Sequence, residues 1–271
     1  MKDTLQTMRL LLVRHGESVD NVAGVYAGSR DSALTAHGVL QARRLGTYLM
    51  PSRDGDNDED SKSEDGLRPV VTHVLSSDLQ RAVRTAEAIV EAQAKKRTGD
   101  DGDEALAVVQ LADLRERDFR SGEGRRIAGS GSSSAFADAE TREEMRRRAE
   151  RFVDGHLHPL LLVQVPTQQT VVVVSHGIFL GVLLSVLLQR FASSSLPAAP
   201  VSWSNTGYVE LAVGRRQQQD VELAVTAVNN VEHLQGLRKT RGGIGSSAFD
   251  AKQQTVDSFF RPAAKRQKKE G

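Results

Sequence analysis

From Val171 to Leu188 the chain runs VVVVSHGIFLGVLLSVLL, eighteen residues without a formal charge. A stretch this apolar must be hidden, either in a bilayer or in a protein core. Four successive valines stiffen an extended backbone, and side chains that are apolar on both faces suit a strand covered on both sides. Ser175-His176-Gly177 then interrupts the run. What remains, Ile178 to Leu188, is too short to span a membrane but suits a buried helix packed on a sheet. The segment therefore reads as buried strand, polar turn, buried helix.

The rest of the chain supplies partners for that unit. Arg9 to Val13 (RLLLV) reads as a short buried strand running into Arg14-His15-Gly16-Glu17. Leu34, Val39, Ala42, Leu45 and Leu49 stand near helical spacing, and Pro51 ends the helix that they predict. Val70 to Leu75 is a second strand. Ser76-Ser77-Asp78 then offers an N-cap and an acidic first turn for a helix to about Ala94, with Leu79, Ala82, Ala86 and Ile89 as its core stripe. Ala107 to Leu111 is a third short strand. Glu140 to His156, rich in helix formers and Arg, reads as a solvated helix. Tyr208 to Val213 and Val221 to Val228 alternate apolar and polar residues, as an antiparallel pair at a sheet edge does. The pattern predicts an α/β fold: a three-layer α/β/α sandwich with a mostly parallel mixed sheet.

Charge and composition place the boundaries. Lys and Arg number 36 against 35 Asp and Glu, so no global charge argues for nucleic-acid binding. Cys is absent, which excludes disulfides, thiolate metal sites and a cysteine nucleophile. Residues 51–66 hold seven acids against two bases and no large apolar side chain, so they read as a disordered insertion. Residues 95–104 form a second polar loop, and a Gly/Ser stretch makes 128–138 flexible. Residues 251–271 carry six bases against two acids. The near-zero total is thus a cancellation. One domain over 1–240 and a flexible basic tail over 241–271 are expected, with no secretory signal in MKDTLQTMRLLLV.

Three predicted strands end in chemically loaded turns: Arg14-His15-Gly16, Ser76-Ser77-Asp78-Leu79-Gln80-Arg81, and Ser175-His176-Gly177. Carboxyl ends of strands in open parallel sheets line the ligand crevice, so two imidazoles and two guanidiniums converge on one pocket. Such a pocket suits a phosphate dianion, since Arg bonds its oxygens in pairs and fixed positive charge stabilises a transferring phosphoryl group. A neutral imidazole can attack phosphorus and hold the group covalently. Glycine after each His lets the backbone approach the ligand closely. Two His with two Arg make a poor cation cage, so neither metal nor cofactor is expected.

Leu11 to Asn21 (LLVRHGESVDN) resembles the signature of the histidine phosphatase, or phosphoglycerate mutase-like, superfamily. Asp31 to Gly38 with Gln41-Ala42, Ser76 to Ala82 with Thr85, and Val174 to Gly177 resemble three further blocks in the same order. The resemblance implies that His15 is the nucleophile. It implies also that Arg14, Arg81 and His176 hold the phosphoryl group, with Asn21 and Gly177 beside it. The segment Leu114 to Phe119 resembles the one that carries the general acid, which implies Glu116, with Glu17 and Glu123 as runners-up. The ion-pair reading of Glu116 with Arg115 or Arg117 stands beside it. Arg115-Glu116-Arg117, Ser204 to Gly207, Asn230 and His233-Leu234 place the chain nearest the branch of TIGAR and the fructose-2,6-bisphosphatase-like phosphatases. Hydrolysis of phosphomonoesters is the implied activity, with a mutase-type phosphotransferase as the alternative.

The tail carries a second message. Gln253, Val256, Phe259 and Phe260, within residues 253–260, fit the box by which proteins dock on the PCNA sliding clamp. One tight helical turn would set Val256, Phe259 and Phe260 on a common face. Residues 265–269 (KRQKK) resemble a nuclear-import signal, which suggests the nucleus as well as the cytoplasm. Two other readings remain: the Phe pair folds back on the domain, or the phosphatase fold serves mainly as a scaffold for docking.

Overall fold

A computed structural model describes residues 8–50, 70–94, 105–127, 136–163, 169–192, 201–216 and 220–237. The 51–66 insertion, the 95–104 loop, most of the Gly/Ser stretch and the whole tail with its box lie outside the described residues.

Strands β1 (Met8–Arg14), β2 (Val70–Ser77), β3 (Val108–Leu111), β4 (Gln169–Ser175), β5 (Tyr208–Arg216) and β6 (Asp220–Asn230) form one sheet in the order β3-β2-β4-β1-β5-β6. The first four run parallel to one another, while β5 pairs antiparallel with both β1 and β6. The helices are α1 (Val19–Ala23), α2 (Ala36–Tyr48), α3 (Gln80–Ala94), α4 (Arg142–Phe152), α5 (His158–Leu162) and α6 (Gly177–Phe191). Among the described residues no helix is long and apolar enough to cross a membrane.

The valine run is central because the sheet is covered twice. Val171 and Val173 join Leu10, Leu12 and the apolar residues of α4 to α6 on one face. Val172 and Val174 join Leu11, Val13 and the apolar residues of α2 and α3 on the other. All four valines are fully buried. Burying each such side chain contributes roughly 1.5–3 kcal/mol, so strand and helix are locked as one unit.

Register then sets the site. Val13 pairs with Val174 and Arg14 with Ser175, so the two chains leave the sheet side by side as His15 and His176. On the other flank Ser76 pairs with Val174, which brings Ser77 alongside.

Two local expectations are corrected. The first turn of α3 is not acidic, because β2 continues through Ser77 and α3 begins only at Gln80; the N–H groups of Leu79 and Gln80 are taken by Ser77 Oγ at 3.3 Å and Asp31 Oδ1 at 2.7 Å. Asp78 instead bonds the Arg115 guanidinium with both oxygens. The helix read as solvated has a buried stripe, Met145, Ala149 and Phe152, before a π-helical turn over Val153–Leu157. Its many arginines hid that narrow apolar face.

Candidate active site

His15 leaves β1 into a closed space, 3% exposed, with Nδ1 2.6 Å from the Gly16 carbonyl oxygen. A carbonyl only accepts, so Nδ1 carries the proton and Nε2 keeps its lone pair. Burial, aided by the Arg81 and Arg14 charges, pushes the imidazole well below its usual range, and the Gly16 bond opposes this only in part. His15 is therefore neutral at neutral pH. Gly16 has a different reason from the one expected: a Cβ there would stand 2.6 Å from the Gly38 carbonyl oxygen. It is packing against α2, not approach of a ligand, that demands glycine.

His176 is fully buried, its ring edge-on to His15 with centroids 5.0 Å apart. Arg81 Nε donates to its Nδ1 at 3.2 Å, and because a guanidinium only donates, the His176 proton sits on Nε2, 2.9 Å from Ser77 Oγ. Burial and then Arg81 hold this ring neutral as well. Arg81 is 1% exposed, which removes the reading of it as a solvated helix residue. Its terminal nitrogens donate to the carbonyls of Arg30 at 2.6 Å, Ala27 at 3.0 Å and Gly28 at 3.1 Å. Most of its donors are thus engaged with the chain, and what it brings to the pocket is a fixed, desolvated charge.

Arg14 is arranged differently. Nη1 donates to the Trp203 carbonyl at 2.6 Å, but Nε is buried without a hydrogen-bond partner among the described residues. An unpaired buried donor costs roughly 1–3 kcal/mol. It lies beside Gly177, the first residue of α6, whose N–H has no carbonyl within its own helix to bond. A helix N-terminus and an unpaired guanidinium N–H together make a place for an anionic oxygen.

Asn21 is exposed; its Oδ1 accepts from the Ser18 N–H at 3.2 Å and from Asn205 Nδ2 at 3.2 Å. Asn205 also donates to the His15 carbonyl at 3.1 Å, tying the two together. Neither Asn205 nor the Trp203 carbonyl was singled out as part of the site from sequence.

The three acids separate cleanly. Glu116 Oε1 accepts from the N–H groups of Arg117 and Phe179, both at 2.9 Å, and Oε2 from Ile178 at 3.1 Å. Its carboxylate thus sits at the head of α6, next to Gly177 and within the field of Arg14 and Arg81. The ion-pair reading does not hold, since Arg115 goes to Asp78 and Arg117 Nε to the Glu140 carbonyl. Glu17 is buried and accepts from Thr35 Oγ1 at 2.9 Å. Glu123 accepts N–H groups from Gly28, Ser29, Arg30 and Phe119. It braces the loop whose carbonyls grip Arg81. That loop is tight: a Cβ on Gly28 would lie 1.8 Å from the Arg117 carbonyl oxygen.

The model of the histidine phosphatase superfamily (branch 1) matches residues 10–58 and 65–226. The chain belongs to this superfamily. Every site residue placed above from Arg14 to Asn205 falls within or between those matched stretches. A Schizosaccharomyces pombe protein described as a probable phosphatase is 33% identical over 257 residues, covering 92% of this chain and 78% of that one. A Salmonella arizonae protein described as a probable phosphoglycerate mutase is 30% identical over 187 residues, covering 67% and 75%. The fold is that of a mycobacterial glucosyl-3-phosphoglycerate phosphatase (TM-score 0.58, 21% identity, covering 82% of this chain and 99% of that one).

Proposed function

We propose that the chain hydrolyses phosphate monoesters through a phosphohistidine on His15, without a metal. The observation that carries this is a neutral His15 with its proton on Nδ1, in the field of Arg81 and of Arg14, whose unpaired Nε lies beside Gly177. Nε2 attacks phosphorus and forms a P–N bond as the P–O bond to the alcohol breaks. Arg14, Arg81 and the Gly177 N–H stabilise the charge on the phosphoryl oxygens. Glu116 gives a proton to the departing alkoxide, then takes one from the water that splits the P–N bond, releasing inorganic phosphate and restoring His15. Lewis-acid help is not required, because the guanidiniums supply the positive charge. Hydrolysis is favoured over mutase chemistry by the likeness to the probable phosphatase, 33% identical and covering 92% of this chain, against 30% and 67% for the probable mutase. Phosphorylated sugars are the proposed substrates, as for the fructose-2,6-bisphosphatase-like branch.

The test is a panel of sugar phosphates, phosphoglycerates, nucleotides and phosphopeptides, incubated with the full chain and a chelator. Stoichiometric inorganic phosphate from at least one ester is expected. An isomeric phosphoester without phosphate release identifies a mutase, and no turnover of any ester sinks the reading.

We propose further that Gln253, Val256, Phe259 and Phe260 dock the chain on a PCNA-type clamp in the nucleus, the basic residues 265–269 supporting both import and contact with an acidic surface. A peptide covering 248–271 should bind the clamp in titration calorimetry, and Phe259→Ala/Phe260→Ala in the full chain should abolish binding. Equal affinity of wild type and double variant overturns the proposal. Clamp binding by a chain that releases no phosphate from any ester would make the fold a scaffold.

A further inference from the structure

One buried arginine is absent from the mechanism above. Arg148, on α4, has a side chain only 12% exposed and paired with an equally buried Glu140. Its Nε and Nη2 donate to the two Glu140 oxygens at 3.0 and 2.7 Å, which orients the guanidinium plane. The remaining donors reach one short backbone stretch: Nη1 donates to the carbonyls of Asp113 at 2.9 Å and Arg115 at 2.6 Å, and Nη2 to that of Glu116 at 3.3 Å. The guanidinium lies over the Phe179 ring, 4.4 Å from its centroid. Phe179 is also one of the residues whose N–H holds the Glu116 carboxylate. Glu140 fastens the far end of the same loop, taking the Asp118 N–H at 3.1 Å while its carbonyl accepts from Arg117 Nε at 2.8 Å.

We infer that Arg148 is the positioning residue for the general acid, holding the Glu116 backbone and the Phe179 turn of α6 in one rigid arrangement. The inference rests on the phosphomonoesterase reading and on Glu116 as the proton donor. Its physical content is that the carboxylate, reached through a flexible side chain, is placed from both ends. Its own carbonyl is tied to Arg148, and its oxygens are tied to a helix turn on which the same guanidinium stacks. A proton donor displaced by about 1 Å loses on the order of 10²-fold, so a clamp that fixes both ends matters for rate beyond fold stability. Lysine could not replace it, since a compact ammonium cannot span a carboxylate and three carbonyls together.

The experiment compares kcat/KM of the full chain on two esters, β-glycerophosphate and 2,4-dinitrophenyl phosphate. An alkoxide must be protonated as it leaves, whereas dinitrophenolate needs no proton. Arg148→Met is expected to lower kcat/KM for the alkyl ester by about 10²-fold, as a fraction of a general acid's contribution, and to leave the aryl ester unchanged. In a Glu116→Gln background the same change should add no further selectivity. Where circular dichroism finds Arg148→Met unfolded, Arg148→Lys reads the same ratio. Equal losses on both esters would mean a merely structural arginine and overturn the inference, as would selectivity in Glu116→Gln but in neither Arg148 variant. Where wild type prefers a sugar phosphate, that alkyl ester takes the place of β-glycerophosphate; if wild type turns over no ester of the panel, these two included, the phosphomonoesterase reading falls and takes this one with it.

Discussion

His15→Ala is expected to lower phosphate-ester turnover by at least about 10³-fold, because it removes the imidazole that carries the phosphoryl between two half-reactions, and the neighbouring His176 has both ring nitrogens engaged by Arg81 and Ser77. Wild type stopped in alkali during turnover should hold one phosphate on His15, stable in base and lost in acid, as a P–N bond is. His15→Ala should hold none. The fold should survive, since among the described residues the ring bonds its neighbour's carbonyl and meets His176 edge-on. A melting curve close to wild type separates lost chemistry from lost structure. The same argument fixes the charge state. Burial, with Arg81 and Arg14 nearby, holds the folded ring well below its ordinary value. Imidazole NMR should therefore find His15 neutral, with its proton on Nδ1, from pH 8 down through pH 6.5. A ring that gains its second proton at or above that ordinary value would contradict this account. An undiminished rate in His15→Ala would remove His15 as the nucleophile.

What could be read before the structure depended on how local each signal was. The strand–turn–helix at Val171 to Leu188 was legible because four valines and a short apolar run leave one buried arrangement, and β4 and α6 follow it closely. Arg14, His15, Arg81 and His176 were legible because each ends or follows a parallel strand. Asn205 and Trp203 precede β5, which was read as half of an edge hairpin. Since β5 in fact runs antiparallel to β1, its beginning meets the end of β1, and the residues before it arrive beside Arg14. That placement follows from which strand β5 joins, which alternation of apolar residues does not reveal. Arg148 was missed for a related reason. Five arginines between residues 142 and 151 look like solvent-facing charge, and only the tertiary meeting of α4 with the 113–118 loop buries one of them. Glu116 was legible as a choice among three acids, but its seat on the N–H groups of α6 was not, since the two segments lie about sixty residues apart in the chain.

That seat makes Glu116→Gln the sharpest test of the proton path. Glutamine has the same shape, and its amide oxygen in the Oε1 place can still accept from the Arg117 and Phe179 N–H groups, while the Ile178 N–H loses its acceptor, so a melting curve close to wild type is the check that the loop holds its place. It can neither give nor take a proton at neutral pH. On an alkyl ester kcat/KM should fall by about 10²–10⁴-fold, the usual contribution of a positioned acid. On 2,4-dinitrophenyl phosphate the first step needs no acid, so kcat/KM should hold. The second step still needs a base to take a proton from water, so that ester should give one rapid equivalent of phenolate followed by a slow phase, with phosphate trapped on His15. Equal losses on the two esters, without a burst, would mean that Glu116 only shapes the pocket. The acid would then have to be sought at Glu123, the carboxylate bracing the loop around Arg81, by the same comparison in Glu123→Gln. Glu17 is a poorer candidate, because its carboxylate is already engaged by Thr35 on the side of α2.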